Sequence, residues 1–365
     1  MKMQRPNEIL KVLREHGYEA YYVGGCVRDT LLGRNVHDWD ITTSALPEQI
    51  MACFDHCIPT GIKHGTVTVL LENTQAEVTT YRTDGVYCDG RHPQQVSFVR
   101  QLSQDLARRD FTINAMAMDE NGDIVDLYGG QNDLKKKLIR CVGDPDVRFA
   151  EDALRMLRAV RFSAQLDFSI DPATLGAIKR NASLCNTLSA ERVRDEIEKT
   201  ICSSRPERMD HMAELGIVER CAPSCLCSCR WLARLPAEPI IRWSALCRTW
   251  RDLDLSVLRL SKRMTLDAIA AGRCDIPQST VEWKKLIAEQ GRAVALIAAT
   301  LSEQKNVVEQ ILSSGDCLSL RQLAVSGKDF PSLSGPDLGE HLKRLLQHVL
   351  EHPEDNQRDI LINLF

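Results

Sequence analysis

The stretch over residues 22–43, YVGGCVRDTLLGRNVHDWDITT, constrains the fold more tightly than any other part of the chain. Gly24 and Gly25 interrupt a brief strand predicted over 21–23 and hand the chain to a helix over 27–32. A turn free of Cβ atoms therefore sits at a helix start, where an anion can approach the backbone closely. Residues 37–42 then alternate, Asp38 and Asp40 pointing one way while Trp39 and Ile41 point the other, into a core. Two carboxylates on one face of a strand repel each other. They persist on a solvated edge or around a divalent cation, and the pair alone leaves both readings open.

The surroundings add a third acid. Apolar residues at 9, 10, 12 and 13 before Gly17 predict a short amphipathic helix over 7–16. GTVTVLL at 65–71 and AEVTTY at 76–81 read as the arms of an antiparallel hairpin, turning at 72–75. Glu77 alternates onto the face of Thr79 and Tyr81, with Val78 opposite. Three carboxylates from two strands suit a two-magnesium phosphoryl-transfer site, in which both ions need oxygen ligands and one acid can accept the attacking hydroxyl's proton.

With 365 residues, 44% of them apolar and 26% charged, the chain has the composition of a globular, cytoplasmic protein of two or three domains. A net charge of -4 means that any surface for nucleic acid is local. No leader opens the sequence, and the longest apolar run, 293–301, is too short to span a bilayer. Fourteen cysteines without a leader read as reduced thiols. Cys221, Cys225, Cys227 and Cys229 form a cluster that fits zinc or a Cys-rich helix–loop segment, and their spacing favours the latter.

Further along, the Gly- and Asp-rich segment over 82–95 predicts a loop that closes over substrate. Arg108 and Arg109 precede Asp110, an expected helix N-cap, with Asn114 one turn on. Such residues clamp a triphosphate and a ribose, or merely cap a helix. On a helix expected from about residue 149, Asp152 and Arg155 share a face. A carboxylate can accept from the amine of cytosine or adenine while a neighbouring guanidinium donates to the ring nitrogen, a pair that mismatches guanine and uracil. A surface ion pair is the other reading. Beyond about residue 200 the pattern is helical, as over 337–350, with a break over 221–239.

Taken in order, GGCVRD, DWD, EVTTYR, RRDFTINAM and EDALRMLRAVRF resemble the motif set of the class II CCA-adding tRNA nucleotidyltransferases, of the polymerase beta superfamily and the bacterial tRNA nucleotidyltransferase/poly(A) polymerase family. The resemblance spans about residues 21–199, with a weaker echo in VSGKDF and SGPDLGEHLKRLL. It implies an α+β fold: an α/β head with a short mixed sheet over 1–140, then an all-α neck over 141–200 and a helical, tRNA-binding body and tail over 201–365. It implies untemplated addition of C, C and A to the tRNA 3′ end from CTP and ATP, releasing pyrophosphate. Asp38 and Asp40 would hold two Mg2+ ions, and Glu77 would complete the site and act as base. Gly24, Gly25, Arg28 and Arg109 would bind the triphosphate, Asp110 and Asn114 the ribose, and Asp152 and Arg155 the base, with Arg158 and Arg161 contacting phosphate or primer.

Rival readings stay in view. The full-length loop favours a complete adder over one that stops at CC, while an A-only enzyme stays open. A poly(A) polymerase of the same family would carry a Gly-Arg-Arg-Phe strand before Glu77, which is absent here. An antibiotic nucleotidyltransferase would need no Arg-rich helix, and a pure RNA-binding module no converging carboxylates. The implied partners are the tRNA 3′ end, CTP and ATP, with no membrane; monomer and homodimer are both open.

Overall fold

The computed structural model describes residues 6–71, 74–84, 96–222 and 227–364. Residues 72–73 of the expected hairpin turn, 85–95 of the expected substrate loop, and Cys225 lie outside them. The chain forms two compact units, Met1–Thr200 with Arg208–Arg220, and Ile201–Glu207 with Cys221–Phe365.

The first unit is built on a seven-stranded sheet. Its strands are β1 (Ala20–Val23), β2 (Asp40–Thr43), β3 (Cys57–Gly61), β4 (Thr66–Leu71), β5 (Thr74–Thr80), β8 (Met116–Met118) and β9 (Ile124–Asp126); β6 (Arg82–Asp84) and β7 (Val96–Phe98) pair separately, at the ends of the expected loop. The order is β3-β4-β5-β2-β1-β8-β9. Only β2 and β5 run parallel, so the sheet is mixed. Ile41, Val67, Val69 and Val78 are almost completely buried on one face, below the Pro47–Cys53 helix and its Ile50. Each such side chain contributes about 1.5–3 kcal/mol of burial. The register is thereby fixed, since a one-residue slip would put every valine on the polar face.

Three local expectations need correction. β2 begins at Asp40, so Asp38 lies before the strand and is exposed; sheet pairing does not hold it beside Asp40. Tyr81 sits one residue past β5 and is buried, its hydroxyl donating to Glu19 at 3.1 Å, instead of sharing the exposed face of Glu77. The helix expected from residue 149 is two helices, Pro145–Glu151 and Leu154–Leu166. Between them Asp152 is extended (φ -143°, ψ 102°), and its Oδ1 accepts from the Leu154 N–H at 3.0 Å. The carboxylate caps the second helix in the manner of an N-cap side chain. A two-residue strand pair also joins Leu138–Ile139 to Ser169–Ile170, and the second of these lies where helix alone was expected.

In the second unit the described residues form no strand. Its helices include Pro239–Thr249, Lys262–Arg273, Thr280–Leu301 and Gly335–Glu351. The last buries Leu345, Leu346, Val349 and Leu350, with Leu338 and Leu342 beside them, and leaves Lys343 and Arg344 exposed. Cys221 and Cys229 are buried and Cys227 is exposed. Among the described residues no three His, Cys, Asp or Glu side chains are grouped to hold a metal ion, and no helix is long and apolar enough to cross a membrane.

Candidate active site

The parallel pairing of β2 with β5 places Asp40 opposite Glu77. Both line a cavity of about 810 Å³ in the first unit. Burial raises the Asp40 carboxyl to about 6, Glu77 and Asp38 adding to the rise and Arg109 opposing it. Asp38, Asp40 and Glu77 do not close into a three-ligand cage, because Asp38 is off the sheet. The residues nevertheless fit a divalent cation shared with substrate oxygens, for a cation relieves the electrostatic load on Asp40.

Gly24 shapes the opposite lip. It has φ +73°, and a Cβ there would lie 3.2 Å from Arg109 Nη1 and 3.7 Å from Asp40 Oδ2. Any other residue would be strained by that φ and would press on Arg109, with Asp40 at ordinary contact distance. Arg109 is held from behind: Asp105, fully buried, accepts from Arg109 Nη2 at 3.0 Å and from Arg108 Nη2 at 2.8 Å. Against the upward push of burial, the two guanidinium groups keep Asp105 ionised below the ordinary carboxylate range.

Asp110 does not cap a helix. It precedes a 3-10 turn, Thr112–Asn114, capped at Phe111. Its Oδ1 accepts from Asn114 Nδ2 at 3.1 Å, and its Oδ2 from Arg158 Nε at 2.8 Å and Nη2 at 2.6 Å. Burial would raise its carboxyl, but Arg158 and Asn114 hold it well below the usual range. Asn114 Oδ1 in turn accepts from Arg28 Nη1 at 2.8 Å, and Arg28 also grips Asp29. Arg28, Asn114, Asp110 and Arg158 thus form one linked network, while Arg109 is tied to Asp105.

The expected base-reading residues come to the same cavity without bonding to each other through their side chains. Arg155 Nη1 donates to Glu151 Oε2 at 2.8 Å, and Nη2 to the Arg108 carbonyl at 2.9 Å. Asp152 Oδ2 instead accepts from Arg192 Nη2 at 2.8 Å. The helix break at Asp152 explains the difference, since it removes the shared helical face. Arg161 pairs with Glu196 at 2.7 Å, and its guanidinium lies 4.0 Å from the Phe162 ring centroid, with Arg28 at 5.1 Å and Arg158 at 5.2 Å.

This cavity brings together Gly24, Gly25, Arg28, Asp40, Glu77, Arg109, Asp110, Asn114, Asp152, Arg155, Arg158 and Arg161. Asp38 acts on Asp40 electrostatically but is not among the lining residues.

Residues 20–140 match the poly(A) polymerase head domain, and residues 167–226 match a probable RNA- and SrmB-binding site of polymerase A. The CCA-adding enzyme of Geobacillus kaustophilus is 38% identical over 93% of this chain and 90% of its own length. The chain belongs to the CCA-adding enzyme family. The match to the CCA-adding enzyme of Limosilactobacillus reuteri is 55% identical over 54% of this chain, and spans about half of that relative, 49%. The Bacillus stearothermophilus CCA-adding enzyme solved in complex with CTP superposes with a TM-score of 0.80 at 34% identity, covering 96% of this chain and 94% of that one. The α+β architecture with its mixed head sheet is therefore that of the CCA-adding family.

Several lining residues escaped the sequence reading. Arg192 lies on the helix Ala190–Ile201, and only the fold carries it to Asp152. Phe162, Thr60, Thr66, His64 and Arg82 also line the cavity. Only the alternation in GTVTV hinted at the last group, by placing Thr66 on the face of Glu77.

Proposed function

We propose that this protein adds C, C and A to the 3′ end of tRNA from CTP and ATP without a nucleic-acid template. The reading is carried by one juxtaposition: Asp40 and Glu77, paired across β2 and β5, share a single cavity with the guanidinium-rich network and with Asp152 and Arg155. In the reaction the RNA 3′-oxygen bonds to the α-phosphorus, the bond from that phosphorus to the bridging oxygen breaks, and pyrophosphate departs. Asp38 and Asp40 would hold Mg2+, with Glu77 completing the set; two such ions, when bound, neutralise phosphate charge and acidify the attacking hydroxyl. Glu77 is the acceptor for the hydroxyl proton.

Gly24, Gly25, Arg28 and Arg109 bind the triphosphate. Asp110 and Asn114 present oxygen and amide groups to the ribose hydroxyls. Asp152 offers an acceptor and Arg155 a donor to the base, the pattern that cytosine and adenine answer and that leaves groups of guanine and uracil unpaired, at a cost of about 1–3 kcal/mol each. Arg158 and Arg161 add positive charge toward phosphate. Residues 1–140 serve as head and 141–200 as neck, while the exposed cations of the 201–365 region, Lys343 and Arg344 among them, meet tRNA phosphates. The test is product sequencing after incubation of tRNAs ending at the discriminator base, at C and at CC with CTP and ATP. Completion of all three to CCA is expected, and activity should vanish in Asp40→Ala. Stopping at CC, use of the CC end alone, or long A tails would each replace this reading.

A further inference from the structure

The nucleotide-handling groups account for only part of the cavity. On the other side of the carboxylates, Thr60, His64, Thr66 and Arg82 also line it. Sheet register explains how they come to be there. Asp40 pairs with Glu77, Glu77 with Thr68, and Thr79 with both Thr42 and Thr66, so these residues share one face of β2, β5 and β4. Neighbouring strands lie about 4.8 Å apart, so the carboxylate row runs on into a hydroxyl row within about 10 Å. Thr60 Oγ1 lies 3.0 Å from Thr68 Oγ1, and Thr66 Oγ1 lies 3.0 Å from Thr79 Oγ1. Two hydroxyls bonded to each other use one hydrogen, so each pair keeps one hydrogen and several lone pairs. Arg82 stands beside them, its Nη1 donating to the His64 carbonyl.

We propose that this wall seats the 3′-terminal nucleotide of the RNA being extended, with Thr66 and Thr60 meeting its ribose 2′-hydroxyl and Arg82 its phosphate. The assignment rests on the nucleotidyl transfer proposed above and identifies the acceptor's half of that site. Three features point to it. The wall adjoins Glu77, where the attacking hydroxyl must arrive. Its hydroxyl pairs offer donor and acceptor together, the complement of a 2′-hydroxyl, which is itself both. Arg82 adds positive charge on this side of the cavity, where a phosphate of the acceptor would lie.

The experiment compares two acceptors, tRNAs ending in a ribonucleotide and in the matching 2′-deoxynucleotide, on the wild-type protein and on Thr60→Val, Thr66→Val and Thr66→Ser. The wild type should use the deoxy acceptor roughly 5- to 10-fold less efficiently, the range of one neutral hydrogen bond. Thr66→Val, Thr60→Val or both should use the ribo acceptor as poorly as the deoxy one, with an unchanged KM for CTP, and Thr66→Ser should restore the preference. Arg82→Gln should weaken binding of a fluorescent acceptor RNA without nucleotide and flatten its salt dependence. The same ribo/deoxy ratio in wild type and both valine variants, with melting temperatures intact, overturns the subsite while leaving nucleotidyl transfer standing. A wild type that extends neither acceptor but still binds RNA overturns both.

Discussion

Arg192 Nη2 donates to Asp152 Oδ2 at 2.8 Å, while Asp152 Oδ1 accepts from the Leu154 N–H at 3.0 Å. One carboxylate is thus held from two directions, by a guanidinium forty positions away and by the start of a helix. The contact with Arg192 fixes the angle at which Asp152 faces the cavity. Arg192→Ala should lower kcat/KM for CTP roughly 10- to 100-fold, the range of a lost charge-assisted hydrogen bond of about 1.5–3 kcal/mol. Discrimination against UTP should fall with it, and Arg192→Lys should recover part of both. Competition assays with labelled CTP and UTP measure this; an unchanged ratio in Arg192→Ala would remove Arg192 from base selection.

Asp110 sets a pH dependence. Its folded-state carboxyl lies below its unfolded value because Arg158 and Asn114 stabilise the anion more than burial penalises it. The folded state therefore binds fewer protons than the unfolded chain as pH falls through about 4, so the contribution of Asp110 is complete above that pH and is lost below it. Asp110→Asn should cost on the order of 3 kcal/mol at pH 7, as expected when a buried ion pair loses one partner. The deficit should shrink toward pH 3. Thermal melts at both values decide it, and a deficit that grows in acid would contradict the ion-pair account.

What the sequence made legible follows a physical divide. Asp40 and Glu77 were readable because strand alternation is local and the β2–β5 register is set by buried valines and isoleucine. Asp38 was misplaced because alternation cannot tell where pairing starts. The helix break at Asp152 was missed because apolar spacing continues across it, although an Asp two residues before a helical Leu was the cap signal available. Arg192 carried no local signal: its role comes from tertiary placement alone.

The charge gathered at Asp40 makes metal dependence measurable without turnover. Burial, reinforced by Glu77 and Asp38, raises its carboxyl to about 6, so ionised Asp40 destabilises the folded state at neutral pH. Asp40→Asn should raise stability at pH 8 by about 3 kcal/mol, with the gain fading as pH falls from about 6 to about 4. Millimolar Mg2+ with CTP should raise the melting temperature of the wild type more than that of Asp40→Asn. Equal Mg2+ effects on both would remove Asp40 from the metal site.

Phe162 gathers Arg28, Arg158 and Arg161 around one ring, at 5.1, 5.2 and 4.0 Å from its centroid. Burial brings the Arg161 guanidinium down to about 10, with Glu196 opposing and Arg158 and Arg28 adding their repulsion. The negative face of the ring offsets that repulsion, and an edge-on contact with Phe111 at 5.8 Å fixes its tilt. Leucine would keep most of the apolar bulk but none of the quadrupole. Phe162→Leu should therefore lose about 1–2 kcal/mol of stability and raise KM for both CTP and ATP several-fold, because Arg28 and Arg158 lose the ring as one of their supports beside Asn114 and Asp110. Phe162→Tyr, which keeps the aromatic face, should come closer to the wild type. If leucine and tyrosine instead behave alike in nucleotide KM, the ring serves only as packing.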